Sequence, residues 1–306
     1  MEERWWTKET VAVVTGAQRG IGYAIARRLA GNGIQVILID RDGEGGTAAV
    51  KALNDAGLHN VAVYQVDVQD GMAINEFANW VKQHYGKLDI LVNNAGILGI
   101  EIDYDIMKAR GVDPRQIFSG NIVEGISENY EMAKACIDIN YYGTLENVEA
   151  LLPLLKLSGD AGGRIVNVAS RAGLLETFPS ETLRQELNDL DNLTENKVDK
   201  FIKNFLMDFE QGLLKTNGWP LRLSAYRVSK AAIIAYTRIL AREHADMYVN
   251  CVHPGYVRTD ITFNTGVYSI DEGAEGPVML ALLPPGSPSG QYYNKKEIAS
   301  IYFLHK

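Results

Sequence analysis

A β-branched run, three glycines and an amphipathic stretch follow one another near the start of the chain. Residues 11–15 have the composition of a buried strand. Gly16 and Gly20 follow this run, and Gly22 lies at the start of the helix-like stretch 21–30. Glycines here allow a sharp turn, a close approach of the backbone to a pyrophosphate, and helix N-terminal N–H groups aimed at its charge. Plain strand-to-helix turns also use glycine, but the preceding strand and the following helix favour a nucleotide site.

The first half of the chain continues as an alternation of short β-branched runs and amphipathic stretches. This pattern builds a parallel sheet that is covered by helices on both faces. At 306 residues the chain has room for one large domain or two small ones, and we predict a single-domain, Rossmann-type doubly wound α/β fold over residues 1–306. The predicted strands are 11–15, 35–40, 61–66, 90–92, 164–168 and 249–252, and the first helices are 21–30 and 45–56.

Two regions interrupt this alternation. Residues 99–128 mix glycine, proline and charges and predict a loop with short helices. Residues 171–221 predict a helical insertion. Its helix would have Thr194 as N-cap and would end at Gly212. It would carry one apolar stripe, whose phenylalanines we expect to face the interior. A helix packed on the core explains the stripe, and a lid over a substrate is the alternative. The stripe consists of Val198, Phe201, Ile202, Phe205, Leu206 and Phe209.

Composition argues against several classes of partner. The formal charge of -8 and the pI near 5.3 argue against a surface for nucleic acid or anionic membranes, which recruit clustered lysine and arginine. Cys136 and Cys251 lack disulfide or metal-type spacing, and the histidines show no ligand spacing, so we expect no metal. Residues 1–10 lack the apolar stretch of a signal peptide. The sequence has no run of about 18 apolar residues, so we expect no membrane-spanning helix. We therefore expect a cytoplasmic protein with two reduced thiols.

A chemical site is predicted around the sequence Ser224-Ala-Tyr226-Arg-Val-Ser-Lys230, which opens a helix-like stretch. Residues four apart share a helix face, so Tyr226 and Lys230 can point into one cleft, although such pairs are more often a packed ring and a solvated charge. Reduction of a carbonyl requires a proton for the new alkoxide, and a phenol suits this role when an ammonium stabilises its anion. Ser170 follows the fifth strand, at the sheet edge where such folds bind ligands, and could donate to the substrate oxygen.

The glycine spacing, Gly-x-x-x-Gly-x-Gly, is the form found in the short-chain dehydrogenase/reductase family. The chain resembles this family over nearly its whole length because other motifs follow in the family's order. The resemblance implies hydride transfer between a nicotinamide cofactor and a carbonyl/alcohol pair, with Tyr226 handling the proton. The supporting motifs are Asp67-Val68 after the third strand, Asn93-Asn94-Ala95-Gly96 after the fourth and Pro254-Gly255 after the sixth.

By the same resemblance, Asn140 completes a catalytic tetrad with Ser170, Tyr226 and Lys230. Its amide would order a water chain that leads to Lys230. A mid-helix amide bonded to the backbone is the alternative for Asn140.

The resemblance also distributes cofactor contacts along the chain. Asp67 and Val68 would contact adenine, residues 93–96 would support the central sheet beside the cofactor, and residues 254–259 would hold the nicotinamide carboxamide. A loop cap without a ligand role is the alternative for the two asparagines of the second segment. The predicted cofactor-binding residues are Gly16, Gln18, Arg19, Gly20, Ile21, Gly22, Asp40, Arg41, Asp67, Val68, Asn94, Ala95, Gly96, Tyr226, Lys230, Pro254, Gly255, Val257 and Thr259.

The end of the second strand determines which nicotinamide cofactor we expect. Asp40, about 20 residues beyond the glycines, can accept hydrogen bonds from an adenosine ribose diol and would oppose a 2′-phosphate by roughly 1 kcal/mol or more. Arg19 and Arg41 favour NADP(H), because relatives that use it carry basic residues at these positions. Asp40 therefore favours NAD(H), with NADP(H) as the alternative, and solvated loop charges would explain Asp40 and Arg41 without a ligand.

The separation of Ser170 and Tyr226 is wide for the family, at 226 minus 170, or 56 positions. This insertion and the extended stretch after Gly99 are similar to the plant salutaridine reductase and menthone reductase group and to animal carbonyl reductases. The likeness implies a bulky apolar ketone or alcohol, such as a terpenoid or alkaloid. It also implies a monomer, since the insertion would cover the helix through which shorter relatives assemble. Asp40 departs from the plant group, whose NADPH-using members usually have a small residue there.

Two other functions stay open at this point. Some members of the plant group reduce an enone at carbon, and Tyr226 argues for the carbonyl reaction instead. A nucleotide-binding protein without turnover is the second alternative, and the serine, tyrosine and lysine set argues against it because a pure binder needs no proton donor.

Overall fold

The computed structural model describes residues 4–118 and 124–302, in which strands and helices alternate from the start. The first half contains β1 (Val11–Thr15), α1 (Gly20–Gly31), β2 (Gln35–Asp40), α2 (Gly43–Asp55), β3 (Val61–Gln65), α3 (Gly71–Tyr85) and β4 (Ile90–Asn93). The second half contains β5 (Glu101–Ile102), α4 (Tyr104–Ala109), β6 (Ile126–Ser127), α5 (Tyr130–Ile137), α6 (Gly143–Leu155), β7 (Arg164–Val168), α7 (Glu181–Asn188), α8 (Glu195–Glu210), α9 (Ser224–Glu243), β8 (Tyr248–His253), α10 (Ile270–Ala281), β9 (Tyr292–Asn294) and β10 (Glu297–Ile298). Each predicted strand is present, with its bounds correct or displaced by one residue.

Eight strands form one sheet in the order β10-β9-β8-β7-β4-β1-β2-β3. Neighbouring strands are parallel except β9 and β10, which pair antiparallel. Val13 of β1 is in register with Ile37 of β2 on one side and Leu91 of β4 on the other. The strand order reverses between β1 and β4, so a crevice opens at the carboxyl ends of these strands. The doubly wound α/β fold predicted from the sequence is confirmed.

The central strands of the sheet are buried on both faces because their successive residues alternate between two apolar layers. Val11 and Val13 point into a layer covered by α3, α6 and α9. Ala12 and Val14 point into the opposite layer, which α1 and α10 cover. A strand that is buried on both faces needs apolar residues at every position, which is why continuous β-branched runs predicted a parallel sheet.

The insertion between β7 and α9 forms α7 and α8, and α8 packs on the body of the fold. Thr194 caps α8 by accepting a hydrogen bond from the Lys197 N–H, and Gly212 follows its end in a left-handed conformation. The helix packs against α5 and α9. Phe201 and Phe205 are fully buried against Trp219, whereas Phe209 is half-buried. The prediction of interior phenylalanines therefore holds for two of the three.

The other insertion, after β4, is short and irregular. Its strands β5 and β6 form an antiparallel ribbon, and α4 and a 3-10 turn at Pro114–Phe118 lie between them. No helix in residues 4–118 or 124–302 is long and apolar enough to cross a membrane, and no group of three or more potential metal ligands occurs there. Cys136 and Cys251 are both free and buried.

Candidate active site

A cleft of about 1050 Å³ opens at the carboxyl ends of the central strands. All residues predicted to be catalytic or cofactor-binding line this cleft, except Gly22 and Asn140. Gly22 is buried inside the glycine turn, and Asn140 is fully buried behind the cleft. Residues that are far apart in the sequence therefore meet in one place.

The glycine turn between β1 and α1 forms a backbone cradle at one end of the cleft. Gly16 and Gly20 have left-handed φ angles of 61° and 59°, which side chains other than glycine rarely adopt. A Cβ on Gly22 would lie 2.3 Å from the Gly16 carbonyl oxygen, so the turn is closed to any side chain there. Among the described residues no side chain caps α1 at Arg19. Its first N–H groups are thus available to an anion, and the turn fits the pyrophosphate of a dinucleotide.

The loop after β4 is fastened to the glycine turn by hydrogen bonds. Asn94 Nδ2 donates to the carbonyl oxygens of Thr15 and Gly16, at 3.0 and 3.2 Å. The Thr15 hydroxyl accepts from the backbone N–H groups of Asn94 and Ala95, both at 2.9 Å. These contacts hold two strand ends together where a cofactor would pass. The sequence prediction omitted Thr15, whose only signal is its position at the end of β1.

Three polar side chains meet where α9 packs against the end of β7. Tyr226 and Lys230 are buried on one face of α9, with 9% and 4% of their surfaces exposed. Lys230 Nζ lies 5.7 Å from the centre of the Tyr226 ring and donates a 2.8 Å hydrogen bond to the carbonyl oxygen of Val168 in β7. Ser170 lies two residues beyond Val168 and lines the same cleft. The arrangement presents two hydroxyls and an amine to one volume.

Asn140 lies in a π-helical turn, Asp138–Tyr142, between α5 and α6. Its Oδ1 accepts from the Ile97 N–H at 2.8 Å, and its Nδ2 donates to the Ile97 carbonyl at 2.9 Å and to Ser229 Oγ at 3.0 Å. A Cβ on Gly96 would lie 3.1 Å from Asn140 Oδ1 and 3.5 Å from Lys230 Nζ, so this glycine keeps the space between them open. The amide thus bonds to the loop after β4 and to α9, and it also donates to Cys136 Sγ, one turn earlier, at 3.3 Å. Single π turns are frequent at functional sites.

Burial changes the pKa values of the two central groups in opposite directions. Burial raises the pKa of Tyr226 to about 12, and a hydrogen bond from Ser170 opposes this rise. Burial lowers the pKa of Lys230 to about 8. Both shifts have the sign expected when a low dielectric disfavours a charge. At neutral pH Tyr226 therefore holds a proton that it can donate, and Lys230 is charged but close to losing its proton.

Acidic and basic side chains surround the end of the cleft beyond β2. Asp40 is half-buried, and its Oδ1 accepts a 3.1 Å hydrogen bond from the Asp42 N–H. The Arg19 guanidinium forms a 2.7 Å ion pair with Asp260. Arg41 is exposed at the rim. Asp40 and Arg41 both face the space beside the glycine turn, and Arg19 already has a carboxylate partner.

The segment after β8 folds back onto the glycine turn. Thr262 Oγ1 donates to the Val257 carbonyl at 2.6 Å and accepts from the Thr259 N–H at 3.1 Å. A Cβ on Gly20 would lie 3.5 Å from the Thr259 methyl group, in ordinary contact. The segment therefore lines the cleft beside the glycine turn. Its contact with the nicotinamide end of a cofactor stays a prediction.

Several loops, including the first insertion, form an apolar wall of the cleft beyond Tyr226, and α8 contributes none of its described lining residues. Phe118 lies at the cleft and packs edge-on against Tyr256, with ring centres 5.5 Å apart. Leu98, Leu223 and Ile261 line the same region. Among the described lining residues none belongs to α7 or α8. The lid alternative for the apolar helix is therefore wrong in this structure, because the stripe is used for packing against α5 and α9.

Sequence comparison places these features in a known family. The family described as "short chain dehydrogenase" matches residues 10–182, and one described as "Enoyl-(Acyl carrier protein) reductase" matches residues 214–302. The chain belongs to the short-chain dehydrogenase family. This short-chain dehydrogenase is therefore an NAD(P)-dependent oxidoreductase that acts on carbonyl and alcohol groups. The resemblance inferred from its motifs is confirmed.

Relatives of this dehydrogenase match almost their entire lengths. (+)-Neomenthol dehydrogenase of Arabidopsis thaliana is 45% identical over 294 residues, which cover 95% of this chain and 97% of the relative. The structure of salutaridine reductase from Papaver somniferum has a TM-score of 0.86 and 42% identity, with 93% of this chain and 99% of that chain covered. Menthone neomenthol reductase from Mentha piperita has a TM-score of 0.81 and 36% identity, with 94% and 99% covered.

The close packing of the glycine turn predicts that a side chain at Gly22 weakens cofactor binding by this dehydrogenase. We expect Gly22→Ala to weaken dinucleotide binding at least ~10-fold, because the new methyl group would displace the Gly16 carbonyl and the Asn94 amide. Gly31→Ala is the matched control, since no described atom lies within 4 Å of a Cβ built on that residue of the same helix. Fluorescence titration with reduced nicotinamide dinucleotide measures both variants, and equal affinities would contradict the prediction.

The depressed pKa of Lys230 predicts a pH-dependent change in stability. The folded pKa of about 8 lies below the ordinary value of 10.5, so below pH 8 the folded protein carries a buried charge that destabilises it, by up to ~3 kcal/mol. Between pH 8 and 10.5 the unfolded chain binds more protons, and stability rises with pH. We expect Lys230→Met to be more stable than wild type at pH 7, even though it loses the hydrogen bond to Val168.

The measurement is denaturant unfolding of both proteins at pH 7 and at about pH 10. Other titrating groups are the same in the two proteins, so the difference between their unfolding free energies isolates Lys230. That difference should shrink at the higher pH. A difference that is independent of pH would show that the charge of Lys230 does not destabilise the fold.

Proposed function

We propose that the cleft binds a nicotinamide dinucleotide beside a ketone or secondary alcohol and that Tyr226 exchanges the proton. The observation that carries this proposal is the meeting of Ser170, Tyr226 and Lys230 at the carboxyl edge of the sheet, next to an uncapped glycine turn. When bound, the nicotinamide ring supplies the hydride in reduction and accepts it in oxidation. A hydride and a proton together convert a ketone to an alcohol, so the protein has to provide only the proton and the polar contacts.

Each polar residue has a distinct task in this proposal. Tyr226, with its raised pKa, donates its proton to the forming alkoxide. Ser170 donates a hydrogen bond to the same oxygen as negative charge develops there. The Lys230 ammonium stabilises the tyrosinate that remains after the proton has left. Asn140 joins the loop after β4 to α9 by hydrogen bonds, beside the space at Gly96.

The acidic group at the end of β2 supports NAD(H) as the preferred cofactor. The half-buried Asp40 can accept from the two hydroxyls of an adenosine ribose and would repel a 2′-phosphate at the same position. Arg19, one of the two basic residues that favour NADP(H), is ion-paired with Asp260. An arginine that is already paired with a carboxylate attracts a phosphate less strongly. The ion pair between Arg19 and Asp260 therefore weakens the argument for NADP(H).

The apolar wall supports a bulky, weakly polar substrate such as a terpenoid or alkaloid ketone or alcohol. Phe118, Leu98, Leu223 and Ile261 give the cleft an apolar surface beyond Tyr226. Relatives named neomenthol dehydrogenase and salutaridine reductase match over almost the whole chain, which supports the same class. The packing of α8 on α5 and α9 supports a monomer, because it covers helix surface that a second subunit would need. We also propose a cytoplasmic location.

Turnover assays test this function directly. Cyclic ketones, the corresponding secondary alcohols and cyclic enones are each incubated with NADH or NADPH, or with their oxidised forms, and the reduced nicotinamide is followed by absorbance. Mass spectrometry of the products separates reduction at oxygen from reduction of an enone double bond. Alcohol formation from ketones supports the proposal. Saturated ketones from enones would favour the double-bond reaction, and no turnover with any pair would favour a nucleotide-binding protein.

A further inference from the structure

The helix that carries Tyr226 and Lys230 lacks a cap from its own sequence. Most of the helices that the structure describes begin at a residue whose side chain accepts a hydrogen bond from a backbone N–H of the first turn. The residue before α9 is Leu223, which makes no such bond. An uncapped N-terminus leaves backbone donors without partners and the first turn prone to fray. The helices capped by their own sequence are α2 (Asp42), α3 (Asp70), α4 (Asp103), α5 (Asn129), α7 (Ser180), α8 (Thr194) and α10 (Ser269).

A carboxylate from the distant insertion takes the place of that cap. Glu128 Oε1 accepts from the Ala225 N–H at 2.9 Å, and Oε2 accepts from the Ser224 N–H at 3.1 Å. These partners are 97 and 96 positions away in the sequence. Glu128 lies between β6 and Asn129, the residue that caps α5. A negative side chain at a helix N-terminus is stabilised by the helix dipole as well as by the N–H donors.

The backbone is strained where the chain enters α9. We therefore expect the first turn of α9 to depend on its hydrogen bonds to Glu128. Leu223 has φ 44° and ψ 41°, a left-handed conformation that costs a leucine about 1 kcal/mol. Leu223 is buried and lines the cleft, and Tyr226 is the third residue of the helix. The Tyr226 hydroxyl is therefore attached to the turn that fraying would move. Lys230 lies one turn further on and is held by Val168.

We propose that Glu128 is a positioning residue for the reaction: its carboxylate holds the first turn of α9 so that the Tyr226 hydroxyl stays in place. This inference rests on the proposed function of Tyr226. Misplacement of a reacting group by about 1 Å can cost ~10²-fold in rate. The same carboxylate links the first insertion, which supplies Phe118 to the wall of the cleft, to the catalytic helix.

The test compares Glu128→Gln with Thr194→Ala. The amide of the glutamine variant offers one acceptor oxygen where the carboxylate offered two, with little change in shape. Thr194→Ala removes the cap of α8, at a similar cost in stability, from a helix that contributes nothing to the cleft among the described residues. We expect Glu128→Gln to lower kcat at least ~10-fold, with KM for the cofactor within ~2-fold of wild type, whereas Thr194→Ala keeps the wild-type kcat.

Hydrogen exchange followed by mass spectrometry provides the second readout, which does not depend on turnover. Glu128→Gln should speed exchange in residues 224–228, and Thr194→Ala should speed it in residues 195–199. A folded Glu128→Gln protein with wild-type kcat, unchanged exchange in 224–228, or an equal loss of kcat in Thr194→Ala would each overturn the proposal. If wild type turns over none of the substrates, the proposed function fails, and the exchange data alone decide whether Glu128 holds the turn.

Discussion

Tyr226→Phe is expected to lower kcat by roughly 10²- to 10⁴-fold, the usual contribution of a positioned acid or base. The phenylalanine keeps the ring in its buried site and removes only the hydroxyl that carries the proton. Affinity for the dinucleotide should fall far less than kcat, because Tyr226 is only one of the predicted cofactor contacts and the glycine turn, Asp40 and the loop after β4 are untouched. Steady-state turnover and cofactor titration of the same preparation measure the two effects separately.

A second tyrosine on the same helix is the control for this substitution. Tyr236 is 1% exposed, packs against the ring of Tyr141 and is not among the residues that line the cleft. Tyr236→Phe makes the same chemical change ten positions further along α9 and should leave kcat near the wild-type value. Wild-type turnover in Tyr226→Phe, or an equal loss in Tyr236→Phe, would remove Tyr226 from the role of the acid.

Asp40→Ala is expected to shift the preference from NAD(H) to NADP(H) by roughly 10²-fold or more. A carboxylate about 5 Å from a doubly charged phosphate opposes it by roughly 2 kcal/mol at a dielectric near that of water, and removing the carboxylate restores about 30-fold in kcat/KM for NADPH. Loss of the acceptor for the ribose hydroxyls costs NADH about 10-fold. The ratio of the two kcat/KM values combines both effects.

Asp55→Ala serves as the control for the change in net charge. Asp55 ends α2, pairs with Lys51 at 2.6 Å and does not line the cleft. Asp55→Ala removes one negative charge at a distance from the predicted ribose site. The ratio of kcat/KM for NADPH to that for NADH should therefore stay near that of wild type. A wild-type protein that already prefers NADPH, or an Asp40→Ala protein with an unchanged ratio, would show that Asp40 does not select the cofactor.

Patterns that are local in the sequence predicted most of the fold and much of the site. Mainly apolar runs of three to six residues predicted the strand bounds to within one residue, because strands buried on both faces favour apolar side chains along their length. The glycine turn was predictable because its φ angles and the close approach at Gly22 exclude other residues. Tyr226 and Lys230 were paired by the four-residue spacing of a helix face.

Contacts between distant segments could not be predicted in this way. Nothing in the local sequence indicates that Asn140 lies in a π turn and bonds to Ile97, or that Glu128 accepts from the N–H groups of α9. The apolar stripe of α8 was compatible with either a packed helix or a lid, and only its neighbours α5 and α9 decided between them. Backbone conformation and residue periodicity are properties of a short segment, so the sequence alone determined the strands, the glycine turn and the tyrosine and lysine pair. Which polar group meets which partner depends on how the whole chain packs, and only the tertiary structure decided that.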